Sequence, residues 1–184
     1  MELRDISTLT TPPVERRPVV TEVIPYQLPR VRRAIQREME RGGQVYVLHN
    51  RVQDIEEVAN EISSLVPEAS VLVGHGQMAA GQLDCVMRSF VQGKCDVLVS
   101  TTIIENGLDV PRANTMIVRN ASRFGLAQLH QLRGRVGRSR ERAFCYLMLP
   151  ENGVEDPTAL ERLRTLERYS MLGAGFRIAM RDLE

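Results

Sequence analysis

Hydrophobic residues fall along this chain in two kinds of block. Short runs that are apolar almost throughout, such as 44–49 (QVYVLH) and 96–100 (DVLVS), alternate with longer stretches that are apolar every third or fourth position. The first pattern is that of strands buried on both faces, the second that of helices with one buried stripe. On this basis strands are predicted over 19–26, 44–49, 70–73, 96–100, 115–118 and 143–149, and helices over 28–41, 54–65, 82–91 and 127–136. Val31, Ala34, Ile35 and Met39 form one helical stripe. Ile55, Val58, Ala59, Ile62 and Leu65 form a second, and Leu83, Val86, Met87 and Phe90 a third. Gly42-Gly43 stops the first helix.

Strands alternating with helices predict an α/β fold, a parallel sheet sandwiched by helices. Ligands of such sheets sit at the carboxyl ends of the strands. The loops after Ser100 and Val118 are therefore where chemistry is expected. Residues 1–18 form an irregular lead-in, broken by Pro12, Pro13 and Pro18. After Pro150 the alternation stops. Residues 157–172 and 176–183 read as two helices joined at Gly173-Ala174-Gly175, a C-terminal helical hairpin. The organisation is then 1–18 lead-in, 19–152 α/β lobe and 153–184 hairpin.

Composition narrows the picture only a little. A hydrophobic share of 43% in 184 residues supplies a real core. No apolar run approaches the length of a membrane span, and the N-terminus lacks a signal-peptide pattern, so a cytoplasmic protein with no membrane contact is expected. Cys85, Cys95 and Cys145 are odd in number and widely spaced, which predicts free thiols. His49, His75 and His130 lack metal-ligand spacing, and no metal is assigned. The net charge of +1 does not mark a nucleic-acid binder, but its distribution does more: residues 119–142 hold seven arginines and a single acid, Glu141.

Within that stretch 131–138 reads QLRGRVGR. Two glycines between arginines let the backbone approach a ligand closely. Guanidinium forks match phosphate oxygens through paired, planar hydrogen bonds. A surface helix of salt-bridged arginines is the plainer alternative, but two interior glycines would each weaken it by about 1 kcal/mol.

This stretch resembles motif VI of superfamily 2 helicases, and STTIIENGLDVP at 100–111 resembles their motif V. With GHGQM at 74–78, FGLAQLHQLRGRVGRS at 124–139, LGAGFRIAMRDLE at 172–184 and the opening LRDIS…TPP, the chain is similar throughout to the bacterial transcription-repair coupling factors. RecG-type replication-fork helicases are the nearest competitors. They share motifs V and VI and the hairpin, but usually read EVG where this chain has Glu105-Asn106-Gly107, and they differ around Asn50-Arg51-Val52.

The resemblance implies the second RecA-like lobe of an ATP-driven double-stranded DNA translocase, with motifs IV, V and VI. ATP and Mg²⁺ would be held mainly by a first RecA-like lobe. Arg135 and Arg138 would be arginine fingers and Gln131 would lie near the γ-phosphate. Gly107 and Asp109 would sit beside the nucleotide, although Asp109 also reads as a loop carboxylate paired with an arginine. Thr101, Thr102, Asn50, Arg51, His75 and Gln77 would meet the DNA backbone, and Arg162 and Arg181 match arginines of the coupling hairpin. RNA polymerase and excision-repair proteins would be met through other domains. The hairpin pattern of the family continues past Glu184, so the hairpin is expected to be loosely held. No G-x-x-x-x-G-K-[ST] loop and no D-E-x-H-like motif occurs in the sequence. The chain alone is therefore expected to be inactive, either as one lobe of a longer protein or as a non-catalytic interaction module of the same fold.

Overall fold

The computed structural model describes residues 19–101, 113–137, 141–153 and 156–169. Six strands form one sheet: β1 (Val20–Pro25), β2 (Gln44–Leu48), β3 (Val71–Gly74), β4 (Val97–Ser100), β5 (Ala113–Val118) and β6 (Phe144–Leu149). Their spatial order is β1-β6-β5-β2-β4-β3, and every pairing is parallel. The helices are α1 (Leu28–Glu40), α2 (Ile55–Leu65), α3 (Ala80–Val91), α4 (Leu126–Arg133) and α5 (Pro157–Tyr169), with a 3-10 turn at Ala121–Arg123. The α/β sandwich expected from the pattern is the fold observed.

The three central strands are buried along their whole length, and their two faces carry different side chains. Val45, Val47, Val97, Val99 and Ile117 face α1 and α2 and pack with Ile35, Ile55 and Ile62. Tyr46, Leu48, Leu98, Met116 and Val118 face the other layer and pack with Phe90, Leu129, Leu132, Leu163 and Leu166. Short β-branched residues on one face and longer ones on the other give each helical layer its own fitted surface.

Helix ends follow local chemistry. Pro29 begins α1, where a missing N–H is harmless. Gly42, at φ +73°, ends it: Gly43 N–H donates to the Glu38 carbonyl at 2.8 Å and Gly42 N–H to that of Met39 at 3.1 Å. These are the paired bonds of a Schellman turn. Gly93 ends α3 the same way, with Lys94 N–H on the Ser89 carbonyl and Gly93 N–H on that of Phe90. α4 stops at Arg133 rather than running to 136, because Gly134 and Gly137 follow. The 3-10 turn was not foreseen; it follows Asn120, which adopts a left-handed conformation at φ 50°.

The first helix of the hairpin is not loosely held. Leu166 and Leu163 of α5 are 0% and 1% exposed, in the same cluster as the sheet. Glu167 adds a polar clasp by accepting the Val23 N–H at 2.5 Å. In β1 the N–H groups of Val20 and Tyr26 pair toward β6, so odd-numbered residues present theirs to the outer edge. There Val23 is capped by Glu167 and Pro25 has no N–H, which blunts the edge against pairing with another strand. The lead-in 1–18 and the second hairpin helix lie outside the described residues.

Integral packing of α5 has a measurable consequence. Leu166→Ala should lower the unfolding free energy in urea by about 2–5 kcal/mol. Arg164→Ala, whose partner Glu167 is reached across an exposed 3.3 Å pair, should change it by about 0.5 kcal/mol or less.

Candidate nucleotide and nucleic-acid site

Parallel register sets the site. Leu48 pairs with Ser100, and Ser100 with Gly74. The residues that follow each strand, His49-Asn50-Arg51, Thr101 and His75-Gly76-Gln77, therefore emerge side by side at one edge, with strands about 5 Å apart. Five of the residues expected to meet DNA are thus brought together. Arg51 and Gln77 are exposed, and Asn50 and His75 are half-buried. Thr101 is only 5% exposed, so its hydroxyl is not presented with the others.

Each loop is held locally. Gln77 N–H donates to His75 Nδ1 at 3.2 Å, which leaves the ring proton on Nε2 as a donor. Met78 N–H closes the turn on the His75 carbonyl at 3.2 Å. The Asn50 Oδ1 is buried without a hydrogen-bond partner among the described residues.

The loop after β2 is pinned by a network that the sequence reading missed. His49 is 2% exposed. Its Nε2 donates to Asp54 Oδ1 at 2.7 Å, and its Nδ1 lies 3.5 Å from Arg119 Nη1. Arg119 also stacks 4.6 Å over the Tyr26 ring and reaches Glu61 at 3.6 Å. Tyr26 donates to Glu61 Oε2 at 3.0 Å, and burial pushes its hydroxyl up to about 12. β2 and β5 are neighbours, yet the chain leaves them for opposite helical layers, so this is a switch point where α/β sheets open a crevice. A cavity of about 340 Å³ lined by Tyr26, Glu61, Arg119, Asn120, Pro150 and Glu151 opens there. The only advance signal was position: His49 and Arg119 directly follow buried strands.

The arginine-rich stretch 131–137 lies on the other layer. α4 buries Leu126, Leu129 and Leu132, leaves Gln131 exposed and leads into a half-buried Arg135. Arg135 pairs with no carboxylate among the described residues. Burial raises the pKa of the Tyr46 hydroxyl, and Ser100 and the Arg135 charge oppose that rise. Arg135 thus lies within electrostatic range of Tyr46. The turn carrying it is bonded back on α4, with Arg135 N–H on the Leu132 carbonyl at 3.0 Å and Val136 N–H on that of Arg133 at 3.3 Å. Gly137 follows at φ +78°, where a Cβ would lie 2.8 Å from that of Ala143 and 3.3 Å from Val19 Cγ2.

Arg133, not singled out in the sequence, is 7% exposed. Its Nη1 donates to the Leu166 carbonyl at 3.2 Å and to Thr21 Oγ1 at 3.4 Å, and its Nη2 lies 3.3 Å from His130 Nδ1. Burial lowers its pKa from the ordinary guanidinium value. Arg162 is half-buried beside the Ala159–Leu163–Leu166 stripe of α5. Thr102, Gly107, Asp109, Arg138 and Arg181 lie outside the described residues. Cys85 is an exposed free thiol and Cys95 and Cys145 are buried ones, both pushed up to about 12 by burial. Among the described residues, no cluster of His, Cys, Asp or Glu could hold a metal and no helix is long and apolar enough to cross a membrane.

Comparison with known proteins agrees with this fold. The family described as the helicase conserved C-terminal domain matches residues 27–140. The transcription-repair-coupling factor of Bacillus subtilis is 53% identical over 181 residues, which cover 98% of this chain and 15% of that protein. RecG bound to a three-way DNA junction superposes with a TM-score of 0.77 at 39% identity, over 94% of this chain and 22% of that one. The C-terminal domain of S. cerevisiae Dbp5 shares the fold at 13% identity, with a TM-score of 0.58 over 90% of this chain and 96% of that one. The chain thus spans about a seventh of the length of the coupling factor it matches.

Two substitutions probe the local geometry. Gly137→Ala should cost about 1–3 kcal/mol of stability, read by denaturant unfolding, because a left-handed residue gains a colliding Cβ. Asp54 is held below the usual carboxylate range, first by its hydrogen bond with His49. Its contribution is present above the unfolded carboxyl pKa of about 3.9 and is lost as pH falls through the lower folded value. Asp54→Asn should therefore lower stability at neutral pH and flatten the acid limb of the stability–pH curve.

Proposed function

The chain belongs to the helicase conserved C-terminal domain family, and from that premise we propose that it is the second motor lobe of an ATP-driven double-stranded DNA translocase acting in transcription-coupled repair. The coupling-factor reading is preferred to a RecG-type one because identity is 53% over nearly the whole chain against 39%. One observation carries the proposal: Arg135 follows α4 half-buried and without a carboxylate partner among the described residues, while one strand edge of the same sheet presents Asn50, Arg51, His75 and Gln77. A guanidinium in that state suits phosphate oxygens supplied from outside the lobe.

ATP, bound with Mg²⁺ mainly by the first lobe, supplies the phosphoanhydride whose cleavage drives movement. Arg135 and Arg138 would neutralise charge that grows on the transferring phosphoryl group, a role worth about 10³–10⁵ in rate. Gln131 would hydrogen-bond near the γ-phosphate, with Gly107 and Asp109 beside the nucleotide. Arg51, Asn50, His75, Gln77 and the N–H groups around Thr101 and Thr102 would hold DNA phosphates, contacts that position the lobe without reading sequence. Arg162 and Arg181 would belong to the hairpin that links this cycle to movement. RNA polymerase and excision-repair proteins would dock on other domains of a longer cytoplasmic protein. The 184-residue chain, lacking a phosphate loop, would not turn over ATP.

In the full-length protein, Arg135→Ala should lower ATP turnover by about 10³ or more while DNA affinity holds. Arg51→Ala should weaken duplex binding and reduce its salt slope by about one, with turnover at saturating DNA near normal. Equal loss of both properties in Arg135→Ala, or a DNA-stimulated ATPase from the 184-residue chain alone, would overturn the reading.

A further inference from the structure

We propose that Arg133 is a positioning residue for the nucleotide site, tying the end of α4 to the last turn of α5 and to β1 so that Arg135 is presented in a fixed direction. The inference rests on the reading of Arg135 given above and adds a residue to it.

Local structure alone does not set where Arg135 points. α4 has only eight residues, too few to be stable without tertiary support. The turn after it is bonded back on Leu132 and Arg133 and seated by Val136, which is 4% exposed, so that turn follows the end of α4. The leucines of α4 anchor its inner side, and the direction of its last residue needs a further tie.

Arg133 closes that gap. Its planar fork reaches three elements at once: the Leu166 carbonyl of α5, the Thr21 hydroxyl of β1 and the His130 ring of its own helix. Leu166 lies in the final described turn of α5. That turn is itself fixed, since Leu166 is 0% exposed and the adjacent Glu167 accepts the Val23 N–H. α4, α5 and β1 thus meet in one bonded triangle, and Arg133 is its α4 corner. The turn bearing Arg135 is bonded to the carbonyls of Leu132 and Arg133, so a shift of Arg133 is delivered directly to Arg135.

A buried guanidinium is an expensive way to fill space. Apolar side chains of similar volume often pack as well or better at such sites. What a fork adds is direction, because several donors in one plane accept only one arrangement of the surrounding oxygens.

Arg133→Lys in the full-length protein tests this, since one ammonium keeps the charge but cannot span three partners in a plane. ATP turnover should fall about 10-fold to 100-fold, the effect of a displacement near 1 Å. The KM for ATP and duplex affinity should stay within about two-fold, with the melting temperature little changed. Ile62→Ala is the comparison: it opens the opposite helical layer without touching Arg133, α4 or α5, and should lower the melting temperature while turnover per folded molecule holds. If Arg133→Lys behaves like Ile62→Ala, or turns over like wild type while Arg135→Ala is inactive, the positioning role is wrong and the motor-lobe reading stands. If Arg135→Ala retains turnover, both fall.

Discussion

Leu48, Ser100 and Gly74 stand level across three parallel strands, and the candidate nucleic-acid edge depends on that alignment. Main-chain bonding holds strands together but is indifferent to which residues are paired. The side chains decide. In β2 and β4 the valines point to one helical layer, and Tyr46, Leu48 and Leu98 to the other. A slip of one residue would exchange the two sets and mismatch both layers. With register fixed, three polar loops must leave the sheet at one edge, because each central strand is buried up to its last residue.

The arginines show how little a net charge of +1 conveys. Arg37 lies 3.7 Å over the Phe144 ring and donates to the Tyr146 hydroxyl at 2.8 Å, and Arg30 pairs with Glu22 at 2.7 Å. Arg119 covers Tyr26, and Arg133 is buried in a brace. These guanidinium groups fasten helices and loops to the sheet, as large planar cations can. Arg51, with its side chain 61% exposed and Asp54 only at 4.0 Å, and Arg135 are in a different position. What separates them is the partner each has, and neither composition nor spacing in the chain reports that.

The parts legible in the sequence were those governed by periodicity. Fully apolar strands and striped helices were recovered to within one or two residues, since burial on both faces or on one leaves a distinct pattern. The end of α4 was misjudged because leucines and arginines alternate there and blur the stripe. The hairpin as a whole was expected to be loosely held because the family pattern continues past Glu184, yet the leucine stripe of its first helix was also legible, and Leu163 and Leu166 seat that helix in the core. At the site, Asn50, Arg51, His75 and Gln77, singled out by motif, follow aligned strand ends and lie along one edge of the sheet. The His49–Arg119–Glu61–Tyr26 network was not, since residues 26, 49, 61 and 119 share no spacing rule and meet only because four chain segments converge at one switch point. Arg133 escaped notice for a related reason: in QLRGRVGR its direction, inward rather than outward, is set by α5 and β1, far along the chain.

The same packing constrains how such a lobe can work. Arg135 follows α4, which packs on one face of the sheet, and the exposed loops begin at the ends of β2, β4 and β3. Between them lie strands buried on both faces, with side chains sorted to fit each layer. An interior packed at this density transmits displacement and does not absorb it. A force applied at Arg135 therefore cannot be taken up by bending the central strands. It must move the sheet, and with it Arg51, His75 and Gln77, as one body. Motion of that kind is the hinge or shear movement by which two-lobed proteins close on a ligand. In the proposed cycle, the rigidity that hides the strands from solvent is also what lets a single guanidinium steer an entire DNA-facing edge.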